Sequence, residues 1–585
     1  MGSAELIQIE SDQEIAARLA EERIRLLQLA GLNPPAHFQR PAEAPFTAAE
    51  RGRVTILFGG LTWKHERFIQ AVFHGCGYRC ETLPRPGLPD YHLGRQFSNP
   101  GQCNPAYFTV GSLIRYLRNL EQHGLPKQDI LANYVFFTSG SCGPCRFGMY
   151  ESEFRMALEN AGFAGFRVLL FSQNDGIKAD SGEPGLKFSV DFGMGVFNAF
   201  QLGDVVHQSI YNIRPYEVTP GETERVFAEV AEDLAGFLRE RERFEILERA
   251  PRWLRPRLEQ NKKLKDTFNT LGKIRQHLYG KDYARVLRRC RERIGQIQVD
   301  RLRVKPVVSI TGEFWAQLTE GDGNFNMFSF LEGEGAHVLV SAVGDWVTYL
   351  LHQAKANAGE RKGLEAPRAR NLWGQFTSRL RSEVSYRKKW LAFTLAERIW
   401  MAQYARAAEG LGGLADALPP QSELAELAHP FYHPLARGGE GHLEVGKNVY
   451  YSLHRRCHMV LALKPFGCMP SSQSDGVQSA VVSRYPEMIF LPIETAGEGE
   501  VNAHSRVQMA LGEAKAKART EFEHCLEAAR VRLEDVREYV ATHPQLRSAL
   551  YRFPRRNGVA GVAANFVLHV AGLMSGRTRL ATEES

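Results

Sequence analysis

The chain has 585 residues, too many for a single hydrophobic core, so two or three domains are expected. Its fractions of hydrophobic residues (44%) and charged residues (24%) are those of an ordinary globular protein, which limits disorder to the chain ends. The net charge of +7 is small for this length, and no nucleic-acid-binding motif accompanies it. The sequence therefore predicts no nucleic-acid partner.

Neither the start nor the most apolar part of the sequence predicts a membrane segment. The first 25 residues are acidic and lack the apolar stretch of a signal peptide. The longest apolar run, residues 559–574, contains Asn565 and His569 and is shorter than the ~20 residues of a membrane span. We predict a cytoplasmic protein with no membrane span. In that reducing compartment the nine cysteines are expected to be core thiols and metal or redox ligands rather than disulfides.

Short apolar runs alternate with helical patterns in two parts of the chain. The first part predicts strands at 54–58, 133–138 and 166–171, and the second at 307–310, 337–340, 459–463 and 488–491. Continuous apolar strands separated by helices are typical of a parallel sheet covered on both faces. Helical patterns also occupy about 220–300 and 345–428, and residues 503–541 predict one long helix.

This order predicts an α/β protein with two doubly wound domains and helical insertions. We expect an N-terminal helical segment (1–50), a first α/β domain (51–215) and a helical linker region (216–302). A second α/β domain (303–541) contains the insertion at about 345–428, and a C-terminal helix and tail (542–585) follow. Open α/β sheets bind ligands beyond the carboxyl ends of their strands. A cleft between the domains is therefore the expected site.

The motif Cys142-Gly-Pro-Cys145 follows the predicted strand that ends at Thr138. Its spacing lets both thiolates face one metal or form a small disulfide ring. A helical pattern over 149–162 comes next, and a helix N-terminus stabilises thiolates and anionic clusters. Three interpretations are open: a thioredoxin-like dithiol, a structural pair or zinc site, and an iron–sulfur cluster.

Two further cysteines lie in loops rich in Gly and Pro. Cys103 stands in Gly101-Gln-Cys-Asn-Pro105, and Cys468 stands in Pro465-Phe-Gly-Cys-Met-Pro470, just after a predicted strand. Such loops can turn backbone N–H groups inward, and the additional thiols favour the cluster. Cys457 is undecided. The cysteines within or beside helical patterns are predicted to be core thiols: Cys76, Cys80, Cys290 and Cys525.

Polar residues near these loops are candidates for supporting roles. Ser471, Ser472 and Ser474 are predicted to cap a helix that starts near Asp475, either as an ordinary N-cap or with amides directed toward a cluster. An acidic loop after the last strand includes Glu494 and ends at His504. In a cleft Glu494 and His504 would be catalytic acid–base residues, whereas in a solvent-exposed turn they would have no role.

Residues 441–448 come close to a phosphate loop. Asn448 stands where that motif has the Ser or Thr that binds magnesium, and no clear strand precedes Gly441. We therefore expect no ATP hydrolysis within this chain.

Three segments together resemble the 2-hydroxyacyl-CoA dehydratase-like, double-cubane-cluster superfamily. They are Gln102-Cys103-Asn104-Pro105, Ser141-Cys142-Gly-Pro-Cys145-Arg-Phe-Gly148 and Lys464-Pro-Phe-Gly-Cys468-Met-Pro-Ser. Further similar stretches are Thr311-Gly-Glu-Phe-Trp315, Gly438-Gly-Glu-Gly441, and Leu491-Pro-Ile-Glu494 through His504-Ser-Arg506. The resemblance extends over about residues 54–517.

The resemblance implies two Rossmann-like domains with a [4Fe–4S] or double-cubane cluster in the cleft between them. By analogy its ligands are Cys103, Cys142, Cys145 and Cys468, with Ser471 and Ser472 beside it. Simpler dehydratase subunits commonly use three cysteines, so four would leave no open iron in a [4Fe–4S] cluster. Alternatively, one of the four is not a ligand, or Cys457 joins them to build a larger cluster.

The same resemblance implies a partner and a reaction. A separate actin-like ATPase, the activase, carries its own iron–sulfur cluster and delivers low-potential electrons. This chain would use them for reduction or reductive dehydration of a small substrate, as a homo- or heterodimer. Two alternatives remain: thiol–disulfide exchange at Cys142 and Cys145, and a non-catalytic cluster carrier that docks the activase through the basic residues of 239–305.

Overall fold

A computed structural model describes residues 12–31, 43–140, 145–172, 185–362, 372–436 and 438–576. The chain divides into two compact units, Met1–Ala42 and Glu43–Ser585. In the first unit the structure describes helix α1 (Asp12–Leu29). The second unit contains both sheets and all further elements discussed below.

Eight strands and twenty-one helices cover the described residues. The strands are β1 (Thr55–Phe58), β2 (Arg79–Thr82), β3 (Tyr134–Gly140), β4 (Arg167–Ser172), β5 (Val307–Gly312), β6 (His337–Leu339), β7 (Met459–Pro465) and β8 (Ile489–Thr495). The helices that follow α1 are α2 (Trp63–Gly75), α3 (Leu88–Phe97), α4 (Asn104–Gln122), α5 (Lys127–Asn133), α6 (Tyr150–Asn160), α7 (Val190–Ile213), α8 (Glu222–Arg239), α9 (Ile246–Arg249), α10 (Arg255–Gln260), α11 (Lys262–Tyr279), α12 (Lys281–Ile294), α13 (Met327–Gly333), α14 (Val343–Glu360), α15 (Leu372–Gly410), α16 (Gln421–Ala428), α17 (His442–Leu453), α18 (Met469–Arg484), α19 (Glu500–Ala529), α20 (Leu533–Thr542) and α21 (Val562–Met574).

The strands form two four-stranded sheets with the same topology. The first has the order β2-β1-β3-β4 and the second β6-β5-β7-β8, and all neighbouring strands are parallel. This confirms the predicted α/β class. In each sheet the chain moves to one side after its first strand and to the other side from its third strand. The direction therefore changes between β1 and β3 and between β5 and β7, and open α/β sheets bind ligands at such points.

Helices cover both faces of the sheets, as the apolar strands predict. Helices α2, α7 and α8 pack on one face of the first sheet, and α4 and α6 pack on the other. In the second sheet β5 and β7 are buried along their whole length. Helices α13 and α19 contribute to that core.

All seven predicted strands are present, and their first residues agree with the prediction within one position. The prediction missed β2, where Arg79 and Glu81 interrupt the apolar pattern of an edge strand. Cys80 consequently lies in a strand and not beside a helix, although it is buried in the core as expected.

The prediction of one helix over 503–541 was wrong. Helix α19 ends at Ala529, Arg530 takes a left-handed conformation (φ 56°), and α20 starts at Leu533. The break lets α20 turn back so that Val536 joins a core with Phe522 and Phe566. Burial of these apolar side chains favours the turn although the sequence has no Gly or Pro there.

The helical segments lie where the sequence indicates them. Helices α8–α12 occupy the predicted helical linker region, and α14, α15 and α16 form the insertion. Helix α21 lies in the apolar run of residues 559–574, and most of its side chains are buried. Among the helices that the structure describes, none is long and apolar enough to cross a membrane.

Candidate functional site

Three of the predicted cysteines each stand immediately before a helix. Cys103 is the N-cap of α4 and Cys468 is the N-cap of α18. Cys145 precedes a 3₁₀ turn, Arg146–Met149, that continues into α6. Over the described residues no side chain caps these three starts. Because a helix start has unpaired N–H groups and a positive dipole end, all three thiols occupy positions that favour an anion.

The local sequence explains the starts of α4 and α18. Pro105 and Pro470 are the second residues of these helices, where the missing N–H costs no hydrogen bond. Gly101 (φ 84°) and Gly467 (φ 75°) precede the two cysteines in a left-handed conformation that glycine adopts readily. Both loops therefore turn sharply and place a cysteine at the first helical turn.

The loops of Cys103 and Cys468 touch each other. The N–H of Asn104 donates to the carbonyl oxygen of Phe466 at 3.1 Å. A Cβ atom on Gly467 would lie 3.3 Å from the carbonyl oxygen of Gln102, so this approach favours glycine. The structure thus brings together one cysteine from the region of the first sheet and one from the region of the second.

Helix α6 links the segment that begins at Cys145 to the Cys103 loop. The hydroxyl of Tyr150, the first residue of α6, lies 2.9 Å from Cys103 Sγ. Burial, and then the neighbouring Cys103 thiol, raise the pKa of Tyr150 well above its ordinary value, so its hydroxyl keeps the proton and is able to donate to a thiolate at Cys103. Cys142 lies outside the described residues, which resume at Cys145.

The predicted serines lie inside a helix and not in front of one. Helix α18 begins at Met469 rather than near Asp475, because Pro470 fits its first turn. The Ser471 hydroxyl donates to Cys468 Sγ at 3.1 Å, whereas Ser472 donates to the Cys468 carbonyl at 3.0 Å. Of these two serines, only Ser471 makes a bond to the sulfur.

Two carboxyl groups from the region of the second sheet accompany the thiols. Glu313 follows β5 and accepts the N–H of Ala316 at 2.8 Å. Glu440 precedes α17, is buried, and accepts the N–H of Phe314 at 3.2 Å. Burial raises the pKa of Glu313 to about 7, and burial together with nearby Glu313 raises that of Glu440 well above its ordinary value. Among the described residues no group bonds Glu440 Oε2.

The three thiols lie within electrostatic range of the same carboxyl group. Burial, followed by Glu440 and Glu313, raises the pKa of Cys145 to about 12 and that of Cys468 even further. Burial also raises the pKa of Cys103, with Glu313 again contributing. Glu313 is therefore a neighbour of all three thiols. Thiols with raised pKa values stay protonated at neutral pH unless a metal cation replaces the proton.

The thiols at the helix starts are donors of the kind that iron–sulfur clusters use. Over the described ranges no three His, Cys, Asp or Glu side chains form a group that could hold one metal ion. In an iron–sulfur cluster each thiolate binds a different iron. Cysteine thiols at positive helix ends, partly shielded from water, are the donors that such a cluster takes.

Sequence reasoning did not assign Glu313, Glu440 or Tyr150 to the site. Glu313 and Glu440 stand in two of the stretches that carry the family resemblance, but 127 residues separate them. Glu313 also follows a strand at the point where the sheet changes direction, and that position is the signal that could have identified it. Tyr150 carries no such signal.

Glu494 and His504 make different contacts from those expected of acid–base residues. Glu494 lies near the end of β8 with its side chain exposed. The His504 ring stacks on Phe330 at 3.9 Å, and its Nε2–H donates to the Phe325 carbonyl at 2.8 Å. These contacts place His504 in the packing of α19 on α13, and none of its described contacts is with a cysteine.

The remaining cysteines lie apart from the site. Cys457 is buried before the amino end of β7, so the whole strand, roughly 20 Å long at ~3.3 Å per residue, lies between it and Cys468. Cys290 and Cys525 are buried within helices, and Cys76 is half-buried at the end of α2. These three agree with the prediction of core thiols.

The segment that comes close to a phosphate loop is largely a helix. Lys447 lies within α17, buried, and forms an ion pair with Asp345 at 2.5 Å. Its ammonium group is therefore engaged inside the protein.

The fold and the site define an α/β protein in which two parallel sheets bring their cysteine loops to one place. No model of a known protein family matches the chain, and a search of curated proteins finds no match. The arrangement of the thiols, their hydrogen-bond donors and the two carboxyl groups is therefore what bears on function.

Proposed function

We propose that this chain is an iron–sulfur protein of the 2-hydroxyacyl-CoA dehydratase-like superfamily. Cys103, Cys142, Cys145 and Cys468 would hold a [4Fe–4S] or double-cubane cluster. The observation that carries the proposal is the contact between the Cys103 and Cys468 loops, each with its cysteine at a helix start, beside the helix that follows Cys145. Helix dipoles and inward N–H groups stabilise the negative charge of a thiolate-bound cluster.

Hydrogen bonds and charges of the surrounding side chains would tune the reduction potential of a cluster bound by these sulfurs. Tyr150 donates to Cys103 Sγ and Ser471 donates to Cys468 Sγ. Hydrogen bonds to ligand sulfurs raise the reduction potential, whereas nearby negative charge lowers it. Glu313 and Glu440 supply that opposing influence when they ionise. A bound cluster supplies one-electron transfer at low potential.

The electron source and the substrate follow from the family resemblance. An actin-like ATPase with its own iron–sulfur cluster, the activase, would deliver electrons at the expense of ATP. The electrons would pass to a small molecule in a reduction or a reductive dehydration. Glu494 and His504 are not proposed as its acid–base residues, because their described contacts are elsewhere.

Thiol–disulfide exchange at Cys142 and Cys145 is a second candidate. In such a motif the attacking thiol is the first cysteine, and Cys142 lies outside the described residues. Neither exchange nor a non-catalytic cluster carrier is favoured by any contact in the described residues.

Anaerobic purification followed by iron, sulfide and electron paramagnetic resonance measurements tests the proposal. We expect iron and sulfide in equal amounts, about four or about eight of each per chain, and a cluster signal after reduction. The Cys76→Ala variant should retain both, because Cys76 belongs to the core of the first sheet. A colourless, iron-free protein that reduces insulin disulfides would instead assign the motif to exchange. Substrate turnover with activase and ATP would separate an enzyme from a carrier.

A further inference from the structure

Helix α15 presents a row of apolar side chains to solvent. Its second half contacts α7 and α12, and its length runs alongside α14. The exposed fractions are highest at Trp373 (75%) and Leu391 (63%). We call the following residues the α15 stripe: Trp373, Phe376, Leu380, Val384, Leu391 and Leu395.

The spacing of its residues places the α15 stripe on one side of the helix. At 100° per residue its six side chains fall within about 100° of the helix circumference, over a length of roughly 33 Å. Glu397 pairs with Lys355 of α14, and Glu383, at the edge of the stripe, pairs with Lys362 and with Arg387. Every stripe residue is exposed, so no part of the chain that the structure describes covers the stripe.

Basic side chains border the stripe. Arg381 and Lys388 project along one border and Arg379 along the other, all three exposed. Trp390, 45% exposed, also lies at the second border. Because the three glutamates of α15 pair with Lys355, Lys362 and Arg552, the outward surface of α15 combines apolar bulk with positive charge.

We propose that the α15 stripe docks on the surface of an anionic lipid bilayer. A basic helix with Trp, Phe and Leu on one side lies in the bilayer interface, with the apolar side chains buried among the acyl chains. The long Arg and Lys side chains reach back to the headgroups, and tryptophan is enriched at this depth. Anionic lipids of the cytoplasmic leaflet supply the complementary charge.

The charge pattern separates this partner from a second copy of the chain. Two α15 stripes facing each other would bring basic borders together, and like charges in a contact oppose association. From Trp373 to Leu395 the stripe makes six turns in 22 residues, about 3.7 residues per turn and close to the period of a straight helix, with Arg387 on the turn between Val384 and Leu391. A straight row fits a flat surface better than the supercoiled seam that a strict heptad spacing produces.

Sedimentation of the full chain with lipid vesicles tests this docking. Vesicles of phosphatidylcholine with about one third phosphatidylglycerol should bind the protein, and pure phosphatidylcholine vesicles should bind much less. The combined Trp373→Ser and Leu391→Ser variant should lower the partition coefficient by about tenfold or more. The combined Arg379→Gln, Arg381→Gln and Lys388→Gln variant should also lower it by at least about tenfold, and added salt should weaken wild-type binding.

Two control variants remove the same kinds of side chain from other helices. Val501→Ser with Met509→Ser removes exposed apolar side chains of α19, and Arg285→Gln, Arg288→Gln and Arg291→Gln removes three exposed charges of α12. Both controls should bind like wild type. Circular dichroism and thermal unfolding establish that all variants fold, since every altered side chain is exposed.

Three results would overturn the docking. The first is wild-type protein that stays in solution with the anionic vesicles. The second is a dimer in light scattering that the Trp373→Ser and Leu391→Ser changes convert to monomer, which would assign the α15 stripe to a second copy. The third is binding to polyglutamate, but not to vesicles, that the α15 charge changes abolish, which would assign it to an acidic protein.

Discussion

The two sheets share a strand order but contribute differently to the site. The loops around the first sheet supply Cys103, Cys145 and Tyr150, and those around the second supply Cys468 with both carboxyl groups. The two sheets have the same strand order, and loops of both regions carry thiols. Among the described residues of the site, only the region of the second sheet contributes carboxyl groups. The comparison shows that topology sets where chemistry can occur, whereas the loop residues decide what it is.

Replacement of one cysteine from each region gives the largest expected effect. If both regions hold one cluster, Cys103→Ala and Cys468→Ala should each lose most of the iron, because each removes a ligand. Iron and sulfide analysis after anaerobic purification measures the loss. Cys457→Ala should keep its iron, since β7 separates that residue from the site. Full iron in either the Cys103 or the Cys468 variant would contradict a shared site.

The next largest effect concerns the stability of the folded protein and an ion pair that joins the two regions. Lys64 of α2 contacts Glu320, beyond β5, at 2.6 Å, and only 3% of the lysine side chain is exposed. Lys64→Met leaves the Glu320 charge without its partner, so we expect a loss of about 3–5 kcal/mol in unfolding free energy. Urea unfolding measures this loss. The control Arg67→Met removes an exposed pair from the same helix and should cost less than about 1 kcal/mol.

Acidification should weaken a second link between the regions. His337 of β6 donates from Nε2 to Asn212 of α7, and burial lowers its pKa to about 3. The folded protein keeps His337 neutral while the unfolded chain takes up a proton below about pH 6.5. Stability should therefore fall by about 1.4 kcal/mol per pH unit below 6.5 from this residue alone. This contribution is complete above pH 6.5 and is lost as the pH falls toward 3.

Urea unfolding between pH 7.5 and 5 gives the slope of stability against pH. His337→Asn should reduce that slope by up to one proton per chain, whatever its effect at pH 7.5. An unchanged slope in this variant would show that His337 is protonated in the folded protein.

The smallest expected effects compare the sulfur hydrogen bonds of the two regions. Tyr150→Phe and Ser471→Ala each remove one donor to a sulfur, and each should lower the reduction potential of a bound cluster by about 20–60 mV. Redox titration monitored by electron paramagnetic resonance measures the shift. Ser472→Ala should leave the potential unchanged, because that hydroxyl donates to a carbonyl. A shift in only one variant would show that the two halves hold the cluster unequally.

The strands could be predicted because their apolar runs are continuous, as in Val307–Gly312, where every residue is buried. Edge strand β2 could not be predicted, because an exposed edge strand tolerates charged residues such as Arg79 and Glu81. The start of α18 was misplaced because Pro470 is compatible with both a loop and the first turn of a helix. The cysteine loops could be identified from Gly and Pro at fixed positions. Tyr150 could not, because its bond to Cys103 depends on how α6 packs against α4.

The contact between the Cys103 and Cys468 loops is made by main-chain atoms. The Asn104 N–H, the Phe466 carbonyl and the close approach of Gly467 hold the loops without using either thiol. A change of side chain at position 103 or 468 therefore leaves this frame in place. Over evolutionary time such a site can exchange its donor atoms, or lose them, while the halves of the protein stay joined. A substitution of Gly467 would disturb this contact directly, because its φ of 75° and its close approach to Gln102 both favour glycine.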